Sequence, residues 1–255
     1  MASIALFSWA AGVLLISVRL AMLFIATPVF GGIPIPNMAK VILIFGLSAG
    51  LAAGIPPINT SNADIGWLFS VVLHEGIVGA AMASGLFAGF AAFHFGGRLL
   101  DFQIGFGIAG LFDIATRNTA PLLGTVFSMM AVLIFFAVDG HLIMLRILQM
   151  SFLKLPPGSG IENLDIGALV AYFGTCFVFG FALVAPVVLC LLLVDLGVAF
   201  MSRTMPQLHV FILALGMKVV VGLLMLAIAL PFAGGLIQII FESIFKSWNQ
   251  VLGNG

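Results

Sequence analysis

The sequence predicts an all-α, polytopic membrane protein built from long, kinked helices and helical hairpins. Three observations carry that expectation: 63% of the 255 residues are hydrophobic and only 7% are charged, the mean hydropathy is +1.31, and several apolar runs reach the ~18 residues that a membrane-crossing helix requires. Soluble domains hold about a quarter charged residues. The formal net charge is zero and no Lys/Arg cluster occurs, which argues against nucleic acid and against a polybasic lipid-binding face.

Six apolar segments follow from hydropathy and from the Gly/Pro/Asn punctuation between them: residues 2–30, 41–55, 67–95, 121–138, 166–201 and 208–240. The first lacks a positive n-region, its first basic residue being Arg19, so it is expected to be retained. It ends at GGIPIPN (31–37), and the second ends at PPINTSN (56–62). The third carries GIVGAAMASGLFAGF (76–90), whose small residues at three- and four-residue spacing suit close helix approach. After the fourth, residues 142–155 mix Arg146, Gln149 and Lys154 with leucines and methionines, the pattern of an amphipathic helix lying on a surface or a partner. LPPGSG (155–160) closes that stretch. Pro186 and Pro231 are positioned to kink the fifth and sixth segments.

The third, fifth and sixth segments, about 29 to 36 residues, would reach about 43 to 54 Å as helices, against a hydrocarbon core of about 30 Å. Part of their length is therefore expected to pack on protein. Counting basic residues on alternate sides sets Lys40, Arg98, Arg117 and Arg203 against Arg146, Lys154 and Lys246, a near tie that gives no orientation.

Arg19, Glu75, Asp195 and Lys218 lie within or near the ends of apolar segments, where an unpaired charge costs at least ~2.5 kcal/mol at the bilayer centre. They should face protein or water, as a conduction relay or as ion pairs that fix helix register within or between subunits. Cys176 and Cys190 share one apolar run and read as small hydrophobes rather than as a disulfide framework.

Enzyme patterns fail in turn. His74-Glu75 begins like a zincin helix, but Val78 stands where the second histidine is required. Asp139 and His141, flanking Gly140, lack a nucleophile to serve and read more simply as a turn or cap. GSG (158–160) sits in a proline-rich loop. No enzyme, metal or cofactor is expected.

Residues 101–121, DFQIGFGIAGLFDIATRNTAP, break the apolar pattern. Arg98, Asp101, Asp113 and Arg117 place four charges within twenty residues, and Gly96, Gly97, Gly105, Gly107 and Gly110 disfavour a continuous helix by up to ~1 kcal/mol each. A loop or broken helix is expected, buried in protein or lining an aqueous cavity. Phe102, Phe106 and Phe112 would form an apolar constriction, with Asp113 and Arg117 paired to hold it, or would be ordinary interhelical core.

The order GFGIAGLFDIAT, FFAVDGHLIMLRILQMSF, LPPG, with RLAMLFIATPVFGG and IPNMAKVIL before it, HEGIVGAAMASG in the third segment and APVVLCLLLVDLGVAFMSRTMPQLHVFILALGMK towards the end, resembles the FliR/SctT family of type III secretion export-gate subunits over nearly the whole chain. The resemblance implies a subunit of the flagellar export gate at the bacterial inner membrane, in the flagellar basal body. It would form and seal a conduit for unfolded export substrates, in contact with lipid and with FliP-like, FliQ-like and FlhB-like subunits. It implies a FliP-like part over about residues 1–165, with a plug at 105–121 (Phe102, Gly105, Phe106, Gly107, Gly110, Phe112, Asp113 and Arg117), and a FliQ-like hairpin and tail over about 166–255. The chain departs from the family at His209 after PQL, the turn region of Pro206 and Gln207, and at Ile114 after Asp113. The Asp139-Gly140-His141 turn resembles the flagellar branch; an injectisome SctT-type subunit is the alternative, and a stand-alone secondary transporter using Arg19, Asp195 and Lys218 is the alternative of another class.

Overall fold

A computed structural model of the chain describes residues 2–28, 36–54, 64–107, 121–156, 164–204 and 210–252. Among these it is helical throughout: α1 (Ala2–Ala26), α2 (Asn37–Ala52), α3 (Ile65–Ile104), α4 (Leu122–Ala137), α5 (Gly140–Lys154), α6 (Ile166–Thr204), α7 (Val210–Ala229) and α8 (Gly234–Val251), with a 3₁₀ turn at Leu230–Ala233.

Several boundaries follow from side-chain chemistry. The Asp165 carboxylate accepts the Ala168 N–H at 2.9 Å, capping α6, because the first N–H groups of a helix have no partner inside it. Asp64 accepts the Ile65 N–H at 2.8 Å where α3 begins. Pro186 lies inside α6, and Pro231 falls in the 3₁₀ turn that separates α7 from α8, since proline offers no N–H for the helical ladder.

Four helical stretches are long and apolar enough to cross a membrane, or five if α4 and α5, bent by 70° at their break, form one span. This is a polytopic membrane protein. α3 and α6 run to 40 and 39 residues, about 60 Å each at 1.5 Å per residue, twice a hydrocarbon core. The sixth apolar segment extends beyond residue 240, because α8 continues to Val251.

The chain divides into two compact units that interleave along the sequence: residues 1–88, 135–173 and 243–255 in the first, 89–134 and 174–242 in the second. In the first unit α1 packs on α2, and Leu15, Leu20, Met82, Leu86, Leu148 and Trp248 are fully buried. The Trp248 indole N–H donates to the Met82 carbonyl at 2.8 Å, and the Asp165 N–H donates to the Val251 carbonyl at 3.1 Å. Helix α5 lies on this core through Met144, Leu148, Ser151 and Phe152, while Arg146 and Gln149 are exposed, so its apolar face meets the chain's own interior. In the second unit Phe241 packs edge-on against Phe90 at 6.0 Å and stacks with Phe93 at 5.6 Å.

Large apolar side chains remain exposed along α6 and α7, including Phe177, Leu193, Val220 and Leu224. An apolar surface of that extent belongs against lipid or another protein.

Candidate functional site

The end of α3 and the start of α4 frame the segment for which the family resemblance implies a plug. The expected break at Gly96 and Gly97 does not occur, because α3 stays helical through both to Ile104. Their role is close approach. A Cβ on Gly97 would lie 2.6 Å from the Leu123 carbonyl oxygen and 2.7 Å from Gly124 Cα, and one on Gly96 would lie 2.8 Å from the Gly180 carbonyl oxygen. Packing gained at these contacts outweighs a helix-propensity penalty of about 1 kcal/mol per glycine.

The helix stops at Gly105, whose φ of +100° is the left-handed region that glycine enters without steric cost. Phe102 is 69% exposed on the last turn of α3, Phe106 is half-buried and Gly107 exposed. Gly110, Phe112, Asp113 and Arg117 lie outside the described residues. Ile104 is fully buried and packs against Gly222 of α7, where a Cβ would stand 2.7 Å from Ile104 Cγ1.

Asp101, one of the four charges of this region, is not a loop residue. It is buried on α3, where Oδ1 accepts the Leu123 N–H at 2.9 Å and Oδ2 the Gly124 N–H at 3.0 Å. The carboxylate thus caps α4 from another helix, satisfying donors that α4 cannot pair itself and meeting the positive end of its dipole. Two turns back, His94 Nδ1 and Ser128 Oγ are 3.1 Å apart. Sequence reasoning named Asp101 but assigned it no role. The signal available was His94, Gly97 and Asp101 at i, i+3 and i+7, one face of a helix.

The four charges of the apolar helices meet in pairs. Arg19 Nε donates to Glu75 Oε2 at 2.7 Å, both side chains being almost fully buried. Nη1 reaches Ser151 Oγ at 2.8 Å and Nη2 the Leu155 carbonyl at 3.1 Å, with the guanidinium 4.0 Å from the centre of the Phe152 ring. One arginine therefore ties α1 to α3 and α5. Gly79, one turn beyond Glu75, makes the approach possible, since a Cβ there would lie 2.8 Å from the Arg19 carbonyl oxygen. Lys218 Nζ and Asp195 Oδ1 are 2.5 Å apart between α7 and α6, with side chains 20% and 39% exposed.

The Asp139-Gly140-His141 turn is a backbone device. Asp139 adopts φ 56° and ψ 26° without a side-chain cap, and its carbonyl accepts the N–H groups of Leu142 at 2.9 Å and Ile143 at 3.2 Å. Gly140 is buried, with no room for a Cβ beside the Phe135 ring, and the His141 ring lies 5.3 Å from that of Phe136. Pro206 and Gln207 lie outside the described residues. Among the described residues no three His, Cys, Asp or Glu side chains are grouped to hold a metal.

Comparison with known proteins gives one family. The model described as "Bacterial export proteins, family 1" matches residues 10–244. The chain is 27% identical over 243 residues to the flagellar biosynthetic protein FliR of Bacillus subtilis (strain 168), covering 94% of this chain and 93% of that one. It is 25% identical over 231 residues to that of Escherichia coli (strain K12), covering 89% and 87%. The secretion system apparatus protein SsaT of Salmonella typhimurium is 29% identical over a shorter span of 172 residues, 67% of this chain and 66% of that one.

Proposed function

The chain belongs to the bacterial export proteins, family 1, and from that membership we propose that it is a subunit of the flagellar type III protein export gate, which forms, and when idle seals, a conduit for unfolded flagellar proteins. The observation that carries the reading is the near end-to-end match to flagellar FliR proteins. The exposed apolar surfaces of α6 and α7 and the lengths of α3 and α6 support it, because helices of about 60 Å exceed the bilayer and require protein neighbours. The gate works without catalysing a reaction, and its place is the bacterial inner membrane in the flagellar basal body. Its neighbours are FliP-like and FliQ-like subunits and an FlhB-like subunit. Residues 1–165 take the FliP-like role, residues 166–255 the FliQ-like role, and the segment 105–121 acts as the plug, entered at the Gly105 turn.

Deleting the gene should abolish swimming and flagellar export while leaving the membrane otherwise intact. Native mass spectrometry of the detergent-extracted protein should find it with FliP-like and FliQ-like chains. Unchanged swimming would sink the flagellar assignment, and a functional monomer would favour a stand-alone transporter. The SsaT match favours a virulence injectisome as second reading; it predicts intact swimming with loss of effector secretion.

A further inference from the structure

We propose that Asp101 is the positioning residue of the conduit seal, tying together the two helix ends from which residues 105–121 depart. This rests on the reading of that segment as the plug. Asp101 is 4% exposed and stands one turn before Gly105, and its carboxylate takes two N–H groups from the first turn of α4, at 2.9 and 3.0 Å. The donors lie 22 and 23 residues further along the chain, on the far side of the plug segment. A carboxylate accepting two backbone N–H groups at a helix N-terminus is charge-assisted and favoured by the dipole, so this is a strong polar link between the two helix ends.

The link is backed by contact. At Gly97 the backbones of α3 and α4 touch, with no space for a methyl group beside Leu123 and Gly124, and His94 meets Ser128 one turn further along the seam. His94, Gly97 and Asp101 thus form one face of α3 that holds α4 by three different means: a side-chain hydrogen bond, bare backbone approach and a cap in trans. The parts of this clamp lie outside residues 108–120. Separation of α3 from α4 breaks it, so Asp101 sets how far the two helix ends stand apart in the idle gate.

Two substitutions loosen the clamp by unrelated routes. Asp101→Asn keeps the size of the side chain but turns an NH2 towards one of the two donors, losing one bond and the charge. Gly97→Ala leaves the carboxylate intact and drives the helices apart sterically. Asp101→Asn should raise the idle ion conductance of the gate roughly tenfold, because one charge-assisted hydrogen bond shifts a two-state equilibrium by about that factor, and Gly97→Ala should raise it in the same direction through the steric clash.

The experiment reconstitutes the complete export gate, co-purified with its partner subunits, into liposomes. It compares potassium flux through the unaltered gate, D101N, G97A and a deletion of residues 105–117, with subunit content checked by native mass spectrometry. Leak from D101N and G97A at unchanged subunit content is the expected result. If the deletion leaks and an assembled D101N stays tight, the positioning role is overturned while the plug stands. If neither the deletion nor D101N leaks, the plug reading falls and this inference falls with it. If neither D101N nor G97A assembles, Asp101 is a folding residue and the proposal is overturned.

Discussion

Arg19 and Glu75, 56 residues apart in the chain, close a buried ion pair at 2.7 Å, with side chains 1% and 2% exposed. The same guanidinium reaches Ser151 and Leu155, so a single side chain holds three helices of the first unit. A buried pair of this kind contributes little against an apolar replacement, but breaking it strands a charge.

Glu75→Ala should therefore destabilise the protein by about 3–5 kcal/mol. The double substitution Arg19→Met with Glu75→Leu should recover most of that loss, since it removes both charges. Thermal unfolding of the detergent-extracted complex measures both, and equal loss in the single and double variants would refute the account.

Trp248 is fully buried and donates to the Met82 carbonyl. Trp248→Ala should cost about 3–5 kcal/mol through the cavity it leaves, whereas Trp248→Phe should cost about 1–2 kcal/mol through the lost hydrogen bond and partial void. Limited proteolysis should release the C-terminal helix earliest in the alanine variant.

Two glycines of α6 should respond in opposite ways. A Cβ on Gly180 would meet the Ala92 carbonyl oxygen at 2.5 Å, while one on Gly174 meets nothing within 4 Å. Gly180→Ala should destabilise by about 1–3 kcal/mol; Gly174→Ala should be neutral or stabilise by up to ~1 kcal/mol through helix propensity. Matched melting curves decide, and similar shifts in both variants would remove the close-approach argument.

Asp195 and Lys218 are partly exposed, so Lys218→Ala should cost the detergent-extracted protein no more than about 1 kcal/mol. The exchange of Asp195→Lys with Lys218→Asp should restore the melting temperature. A single-variant loss as large as that of Glu75→Ala would mean that the pair is buried in the assembled gate.

The elements were legible wherever hydropathy or proline marked them. The start at Ile166 and the break around Pro231 stand where the sequence reading put them, because an apolar run and a missing N–H are local properties. The sixth apolar segment of the sequence ends at residue 240, short of the end of α8 at Val251, since Glu242, Lys246, Asn249 and Gln250 lower the hydropathy there. The spacing of Ile237, Phe241, Ile244 and Trp248, all buried, carries the helical period that the hydropathy average hides. Gly96 and Gly97 were misread as breakers because propensity is local, and the carbonyls they admit come from Gly180 and Leu123.

By itself the sequence determined the class of this protein, its apolar elements and, through the order of its motifs, its family, because these depend on residue type and spacing along one chain. The tertiary structure alone decided which charge meets which. Arg19 with Glu75, Lys218 with Asp195, and the capping of α4 by Asp101 from 22 and 23 residues away join residues from different helices. Such partners are chosen by helix rotation and approach distance, which small residues at Gly79 and Gly97 permit and linear spacing does not encode.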